Sequence, residues 1–245
     1  MKHTYRATID QVPVAGGDVT LDDAAGHHLV RVARRGVGDD VEAIDPQGDL
    51  WPAHVVQLGP PVVLRIGVAP RPAPAMIPVE LYLGALEWGR FDLVVEKCTE
   101  IGVSRITMFT SERSGRKLDQ AGFDGRAERL ARLADAAARQ SGRGARCAVR
   151  GLVPFSTVIA ECAHDGFLVD QRATVGLGHA VREAAPAHAA VIVGSDAGFS
   201  SDELAQAKVG GLRICGLGAS TLRAETAALV AVAIAADGLG GLGVG

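Results

Sequence analysis

The sequence predicts an α/β protein in two unequal parts, and three features carry that expectation. From residue 79 onward, short apolar runs alternate with segments of helical period, the pattern of a largely parallel sheet covered by helices. Before residue 69 the pattern differs: β-rich pieces separated by turn residues follow one short helix. Between the two lies "APRPAPAMIP", residues 69–78, whose four prolines forbid a helix and favour an extended connector. The boundary falls there, giving domains of residues 1–70 and 71–245.

Each element follows from its residues. "LDDAAGHHLVRVARR" reads as a short helix, and "DVEAID", "WPAHVVQL" and "VVLRIG" as strands divided by the turns "PQGD" and "GPP". After the connector, "VELYLGAL" is strand-like, and "RFDLVVEKCTEIG" places Phe91, Val94, Val95, Cys98 and Ile101 at helical spacing with Gly102 as C-cap. "RITMFT" gives the next strand, and "FDGRAERLARLADAAARQSGR" a helix with Leu130, Leu133, Ala134 and Ala137 on one stripe. The strands "GFLVD", "AAVIVG" and "LRICGLG" follow, and the tail "GLGGLGVG" is expected to fray.

Composition sets the outer limits. Hydrophobic residues at 48% with 22% charged exclude wholesale disorder, and 4% aromatics leave the core to Ala, Val, Leu and Ile. A net charge of −3 does not mark a nucleic-acid binder, yet Arg113 to Arg150 holds ten Lys/Arg against four Asp/Glu, a local basic excess. The four cysteines have no C-x-x-C spacing, so no zinc site or other metal is expected and reduced thiols are. No signal-peptide pattern opens the chain, and its longest apolar run, Ala227 to Ala236, is half of the roughly 20 residues a membrane span requires. A cytoplasmic protein without membrane contact is expected.

Two stretches have the makings of a ligand site. In "VIVGSDAGFSSDE" a strand runs into Gly194, a polar turn and Gly198, after which Ser200 and Glu203 form an S-x-x-E capping box. In "GLGASTLRAETAALVAVAIAA" a second glycine turn, Gly216 to Gly218, leads through Arg223 and Glu225 into a helix with no polar face. Arg223 and Glu225 there either pair with each other, solvate, or line a pocket. Ligands of open α/β sheets bind beyond the carboxyl ends of strands, so two such turns would build a composite pocket. The first of these stretches is not G-x-G-x-x-G, no Walker-type G-x-x-x-x-G-K-[ST] is present anywhere, and G-x-S-x-G and H-E-x-x-H are missing too. Dinucleotide, nucleoside-triphosphate, hydrolase and metalloprotease readings lose their support accordingly.

These stretches resemble a known family. "VIVGSDAGFSSDE" is similar to the G-P-E-G-G-[FL]-[ST]-x-x-E segment, and "GLGASTLRAETAAL" to the L-G-x-R-[IV]-L-R-x-E-T-A segment, of the 16S ribosomal RNA uracil-N3 methyltransferases of the SPOUT class. "EKCTEIGVSRITMFTSERS" and "ARQSGR" resemble two further blocks of that family, in the same order. The resemblance implies a PUA-like RNA-binding N-terminal domain, a C-terminal parallel sheet tied in a trefoil knot, S-adenosylmethionine as methyl donor, 16S ribosomal RNA or the small ribosomal subunit as partner, and a homodimer. The chain departs from the pattern at Ser195, Asp196 and Ala197, and at Ser220 and Thr221. Those departures keep a rival reading open, a non-catalytic RNA-binding or ribosome-assembly protein that retains the fold.

On that resemblance the donor lies against Gly194, Asp196, Gly198, Leu217, Gly218, Thr221 and Leu222. Arg223 is the fixed cation for charge developing on the uracil oxygens. Glu225 orients Arg223 or helps remove the proton, and Arg143 is a second catalytic cation or an RNA-phosphate contact. RNA binding draws on Arg31, Arg34, Arg35, Arg113 and Arg139. Trp51 and Trp88 are candidates for base stacking, whereas Phe91 is expected to pack in the core.

Overall fold

The computed structural model describes residues 5–71, 75–114, 119–143 and 146–242. The expectations for Pro72, Pro74 and the last three tail residues lie outside them. Two compact units emerge: residues 1–75 with 135–146, and residues 76–134 with 147–245. The smaller unit thus takes in the end of a helix that sequence spacing assigned to the larger domain.

The smaller unit is built on β1 (Tyr5–Thr8), β2 (Asp18–Thr20), α1 (Asp23–His27), β3 (Asp40–Ile44), β4 (Leu50–Gln57) and β5 (Val63–Ile66). The strands form one sheet in the order β1-β3-β4-β5-β2, antiparallel except for β1 beside β3. Alternation along β4 turns Trp51, Ala53 and Val55 inward, where they meet Val41, Leu64 and Leu29. Trp51 is therefore no stacking platform: it is buried, and its indole N–H donates to Asp45 Oδ2 at 3.0 Å. Asp22 caps α1 by accepting from the Ala25 amide at 2.6 Å, and the helix passes into one π turn over His28–Val32. The expected helix thus ends before Arg34, whose φ of 51° lies in the left-handed region.

The larger unit carries β6 (Ile77–Gly84), α2 (Trp88–Ile101), β7 (Val103–Thr110), α3 (Gln120–Ser141), β8 (Ala148–Pro154), α4 (Phe155–Glu161), β9 (Gly166–Val169), α5 (Leu177–Ala184), β10 (Ala189–Val193), α6 (Ser201–Val209), β11 (Arg213–Cys215) and α7 (Ala224–Gly238). Its six strands are all parallel, in the order β11-β9-β10-β6-β7-β8. Both faces are covered, which is why the strands read as continuous apolar runs. Leu81, Leu83, Val191 and Phe167 turn to a core shared with α2, α5 and α7. Their neighbours Tyr82, Ile192 and Leu168 turn to a second core under α4 and α6, where Phe109, Phe155 and Phe199 cluster at ring separations of 5.2–6.1 Å. The apolar run of α7 is explained by this packing: Ala227, Ala228, Ala231, Val232, Ala235 and Ala236 are buried, small enough to let the helix lie close on the sheet.

Gly102 closes α2 as expected, in the left-handed region at φ 103°. The four cysteines are buried and free of disulfides. Burial pushes the Cys162 thiol up to about 12 and the Cys215 thiol up to about 11. Among the described residues no helix is long and apolar enough to cross a membrane.

Candidate functional site

The loops leaving the carboxyl ends of β9, β10 and β11 meet at one groove of about 490 Å³. The strand order explains the meeting, because β9 separates β10 from β11 and its loop lies between the two glycine turns. All seven predicted donor-binding residues line this groove: Gly194, Asp196, Gly198, Leu217, Gly218, Thr221 and Leu222. Gly198 and Gly218 stand at φ 64° and 113°, where a side chain would be strained.

The loop after β10 is pressed against the end of β6. A Cβ on Gly84 would stand 2.3 Å from the Ser195 amide nitrogen, so only glycine admits that crossing. The loop then enters α6 through the predicted capping box. Ser200 Oγ accepts from the Glu203 amide at 3.1 Å, and Glu203 Oε2 accepts from the Ser200 amide at 2.8 Å. The other oxygen of this buried carboxylate accepts from the Glu112 amide at 2.8 Å, which ties the loop after β7 to the same helix.

Asp170, Gln171 and Arg172, which the sequence reading did not single out, complete the walls. Asp170, at the end of β9, accepts from Arg172 Nε at 2.8 Å, Arg172 Nη2 at 2.9 Å and the Arg172 amide at 2.9 Å. Arg172 Nη2 also donates to the Phe199 carbonyl at 2.9 Å, so one guanidinium joins two loops. Burial raises the Asp170 carboxyl, but the Arg172 hydrogen bonds and the charges of Arg172 and Arg113 outweigh it and hold it below the usual carboxylate value. Gln171 Oε1 accepts from Thr221 Oγ1 at 3.2 Å, a contact between the loops after β9 and β11. Arg90, in the first turn of α2 and also not singled out by the sequence reading, braces the wall without lining the groove. It donates to both Asp196 oxygens, at 3.1 and 2.5 Å, and lies 3.1 Å from Glu225 Oε2. That last approach is an ion pair whose angles do not make a hydrogen bond.

Arg223 also lines the groove, at the N-cap of α7, and its guanidinium has no partner among the described residues. The partner of Glu225 is Arg90, not Arg223, because the first turn of α2 packs beside that of α7. Arg113, predicted as an RNA contact, lines the groove instead, and its carbonyl lies 3.5 Å from Ser195 Oγ. Arg143 is not brought to the groove; it belongs to the smaller unit and donates to the Ala75 carbonyl at 3.1 Å. Arg31, Arg34, Arg35 and Arg139 also lie in the smaller unit, with Arg31, Arg34 and Arg139 exposed and Arg35 half-buried. Trp88 is covered by Arg126, whose guanidinium carbon lies 4.7 Å from the ring centroid, and Phe91 is core.

A parallel sheet with a glycine-built groove at its strand ends is the arrangement in which open α/β folds hold small ligands against backbone. Residues 73–236 match the sequence model of the RNA methyltransferase domain, and residues 21–61 match that of the RNA methyltransferase PUA domain. The chain belongs to this RNA methyltransferase family. It is 26% identical over 94% of its length to the ribosomal RNA small subunit methyltransferase E of Synechocystis sp., covering 76% of that protein. It is also 26% identical over 55% of its length to ribosomal RNA small subunit methyltransferase E 2 of Borreliella burgdorferi, covering 56% of it. Among solved structures, the ribosomal RNA small subunit methyltransferase E of Neisseria gonorrhoeae bound to S-adenosyl methionine shares the fold, with a TM-score of 0.76 at 24% identity over 96% of this chain and 98% of that one.

Proposed function

We propose that this chain transfers the methyl group of S-adenosylmethionine to N3 of a uridine in small-subunit (16S) ribosomal RNA. The observation that carries the reading is the convergence of the two glycine loops on one groove with Arg223 at its rim, in a chain of the RNA methyltransferase family. The groove suits the donor: its 490 Å³ lies in the ordinary range for small-molecule sites, and Val169, Val193, Leu217, Leu222 and Ala227 supply apolar surface for a flat ring. Backbone at Gly194, Gly198 and Gly218 offers main-chain groups without side-chain obstruction. When bound, the donor supplies a methyl group on a sulfonium centre.

The chain's own residues supply position and charge. Asp170 and Arg172 hold the loops after β9 and β10 in register, Arg90 holds Asp196 and the start of α7, and Arg223 stands where charge develops on the acceptor ring. The departures at Ser195, Asp196, Ala197 and Ser220 leave the groove open and lined, so the non-catalytic rival has nothing in its favour. RNA binding falls to residues 1–70, as a PUA-like domain with Arg31, Arg34 and Arg35, helped by Arg139 and Arg143; residues 71–245 form the methyltransferase domain. We also place the protein in the cytoplasm as a homodimer. The half-buried apolar side of α7, Leu229, Val230, Ala233 and Ile234, supports the dimer. Hydrogen bonding of residues 175–177 to Gly216 supports a knotted path.

The test is Arg223→Ala. Methylation of small-subunit ribosomal RNA, followed by mass spectrometry, is expected to fall by about 10²–10³-fold, as when one oxyanion donor is removed. Calorimetric affinity for S-adenosylmethionine should stay within about threefold of wild type, since the N-cap side chain makes no hydrogen bond to the helix. Wild-type turnover by Arg223→Ala contradicts the assignment.

A further inference from the structure

Beside the groove lies a second hollow of about 370 Å³, and the two share a wall made by Arg113, Ser195, Asp196, Ala197 and Arg223. Its far side is Leu86, Glu87 and Arg90. We propose, building on the function given above, that this hollow seats the acceptor uracil and that Glu87 takes the proton leaving N3.

Charge inside the hollow decides the roles. Of the three cations that line it, Arg90 is committed to Asp196 and Glu225, whereas the guanidiniums of Arg113 and Arg223 make no hydrogen bond or ion pair among the described residues, Arg113 acting on Asp170 through its charge alone. Two carboxylates line it as well. Asp196 is held by both nitrogens of the Arg90 fork, which leaves Glu87 as the carboxylate with no side-chain partner among the described residues. The main chain of Glu87 is nevertheless fixed, because its carbonyl accepts from the Arg90 amide at 3.0 Å and the Phe91 amide at 2.9 Å as the N-cap of α2. Its side chain takes no part in capping. A fixed backbone with an uncommitted carboxylate is what a general base needs.

The pattern of one carboxylate and two guanidiniums with unused hydrogen-bonding groups matches the acceptor–donor–acceptor edge of uracil, O4, N3–H and O2. Cytosine offers a lone pair at N3, which a carboxylate rejects, so the same hollow selects uridine over cytidine. In the step itself, the N3–methyl bond forms as the sulfur–methyl bond breaks, and the electron pair of the broken bond stays on sulfur. The N3 proton passes to the Glu87 carboxylate, and the products are N3-methyluracil, a neutral thioether and a protonated Glu87. Arg113 and Arg223 hold the oxygens while negative charge passes through the ring.

The experiment compares the full-length protein with Glu87→Gln and Glu87→Asp. Three quantities are read: calorimetric affinity for S-adenosylmethionine, cofactor-free affinity for small-subunit ribosomal RNA transcripts carrying uridine or cytidine at the methylated position, and single-turnover rate against pH. Glu87→Gln should keep donor affinity within about threefold, lose the preference for uridine, and slow transfer by about 10²-fold or more at neutral pH, the deficit shrinking as pH rises. Glu87→Asp should recover part of the rate. A Glu87→Gln protein with unchanged rate, pH profile and base preference overturns the proposal while the methyltransferase reading stands. Failure of the unsubstituted protein to bind the donor or to methylate the RNA overturns that reading, and this proposal with it.

Discussion

The two glycine loops of the groove are held in different ways. The loop after β10 is packed from beneath by Gly84, gripped at Asp196 by Arg90, joined to β9 through Arg172 and closed by a buried capping box. The loop after β11 runs exposed from Gly218 to Thr221, and among the described residues its side-chain tie is the Thr221–Gln171 hydrogen bond. One wall is built before any ligand arrives; the other is free to adjust to it. The contrast also bears on three of the departures from the family pattern, Asp196, Ser220 and Thr221. Asp196, one carbon shorter than the family's glutamate, is met by a two-pronged arginine, whereas Ser220 and Thr221 lie on the exposed wall, where substitution disturbs little packing.

The most damaging way to break this asymmetry is Gly84→Ala. The new methyl group would meet backbone rather than a flexible side-chain end, so the β10 loop must move. Overpacking of this kind costs about 1–3 kcal/mol, and donor affinity measured by calorimetry should fall at least tenfold. Unchanged affinity and melting temperature would mean the crossing is not rigid.

Asp170→Asn is expected to act less strongly and through pH. The folded-state pKa of Asp170 is depressed, so its contribution is fully present above the unfolded carboxylate value of about 3.9 and is lost as pH falls through the lower folded value. Denaturant titrations should find the variant about 1–3 kcal/mol less stable at neutral pH, converging on wild type as pH falls through the depressed folded value. A gap that stays constant with pH contradicts the assignment of the charge.

Thr221→Val sharpens the comparison from the other side. It removes a contact on the exposed wall, and donor affinity should change by no more than about threefold, the worth of an exposed hydrogen bond. A loss as large as that of Gly84→Ala would make the two walls equivalent.

Much of the fold was legible because its signals are local. The periodicity of α2, its left-handed cap at Gly102, the strands at both glycine turns and the Ser200–Glu203 capping box each lie within a few residues. Short or polar elements were not legible: β2 has three residues, α4 seven, and β8 interrupts its apolar run with Arg150 and Gly151. The site divides the same way. Its glycines and Arg223 stand in two continuous stretches, but Gly84, Glu87 and Arg90 become neighbours of Asp196 only because β6 pairs with β10, more than 100 residues away. Arg113 was assigned to RNA by its basic surroundings, and β7, which lies next to β6, carries it to the groove.

Amide hydrogen exchange with and without S-adenosylmethionine tests the shared cradle most directly. Slowed exchange is expected in both 194–199 and 216–222, with the larger change in the exposed second loop because the first is already held. Protection confined to one loop, or to neither, would contradict a cradle made by both.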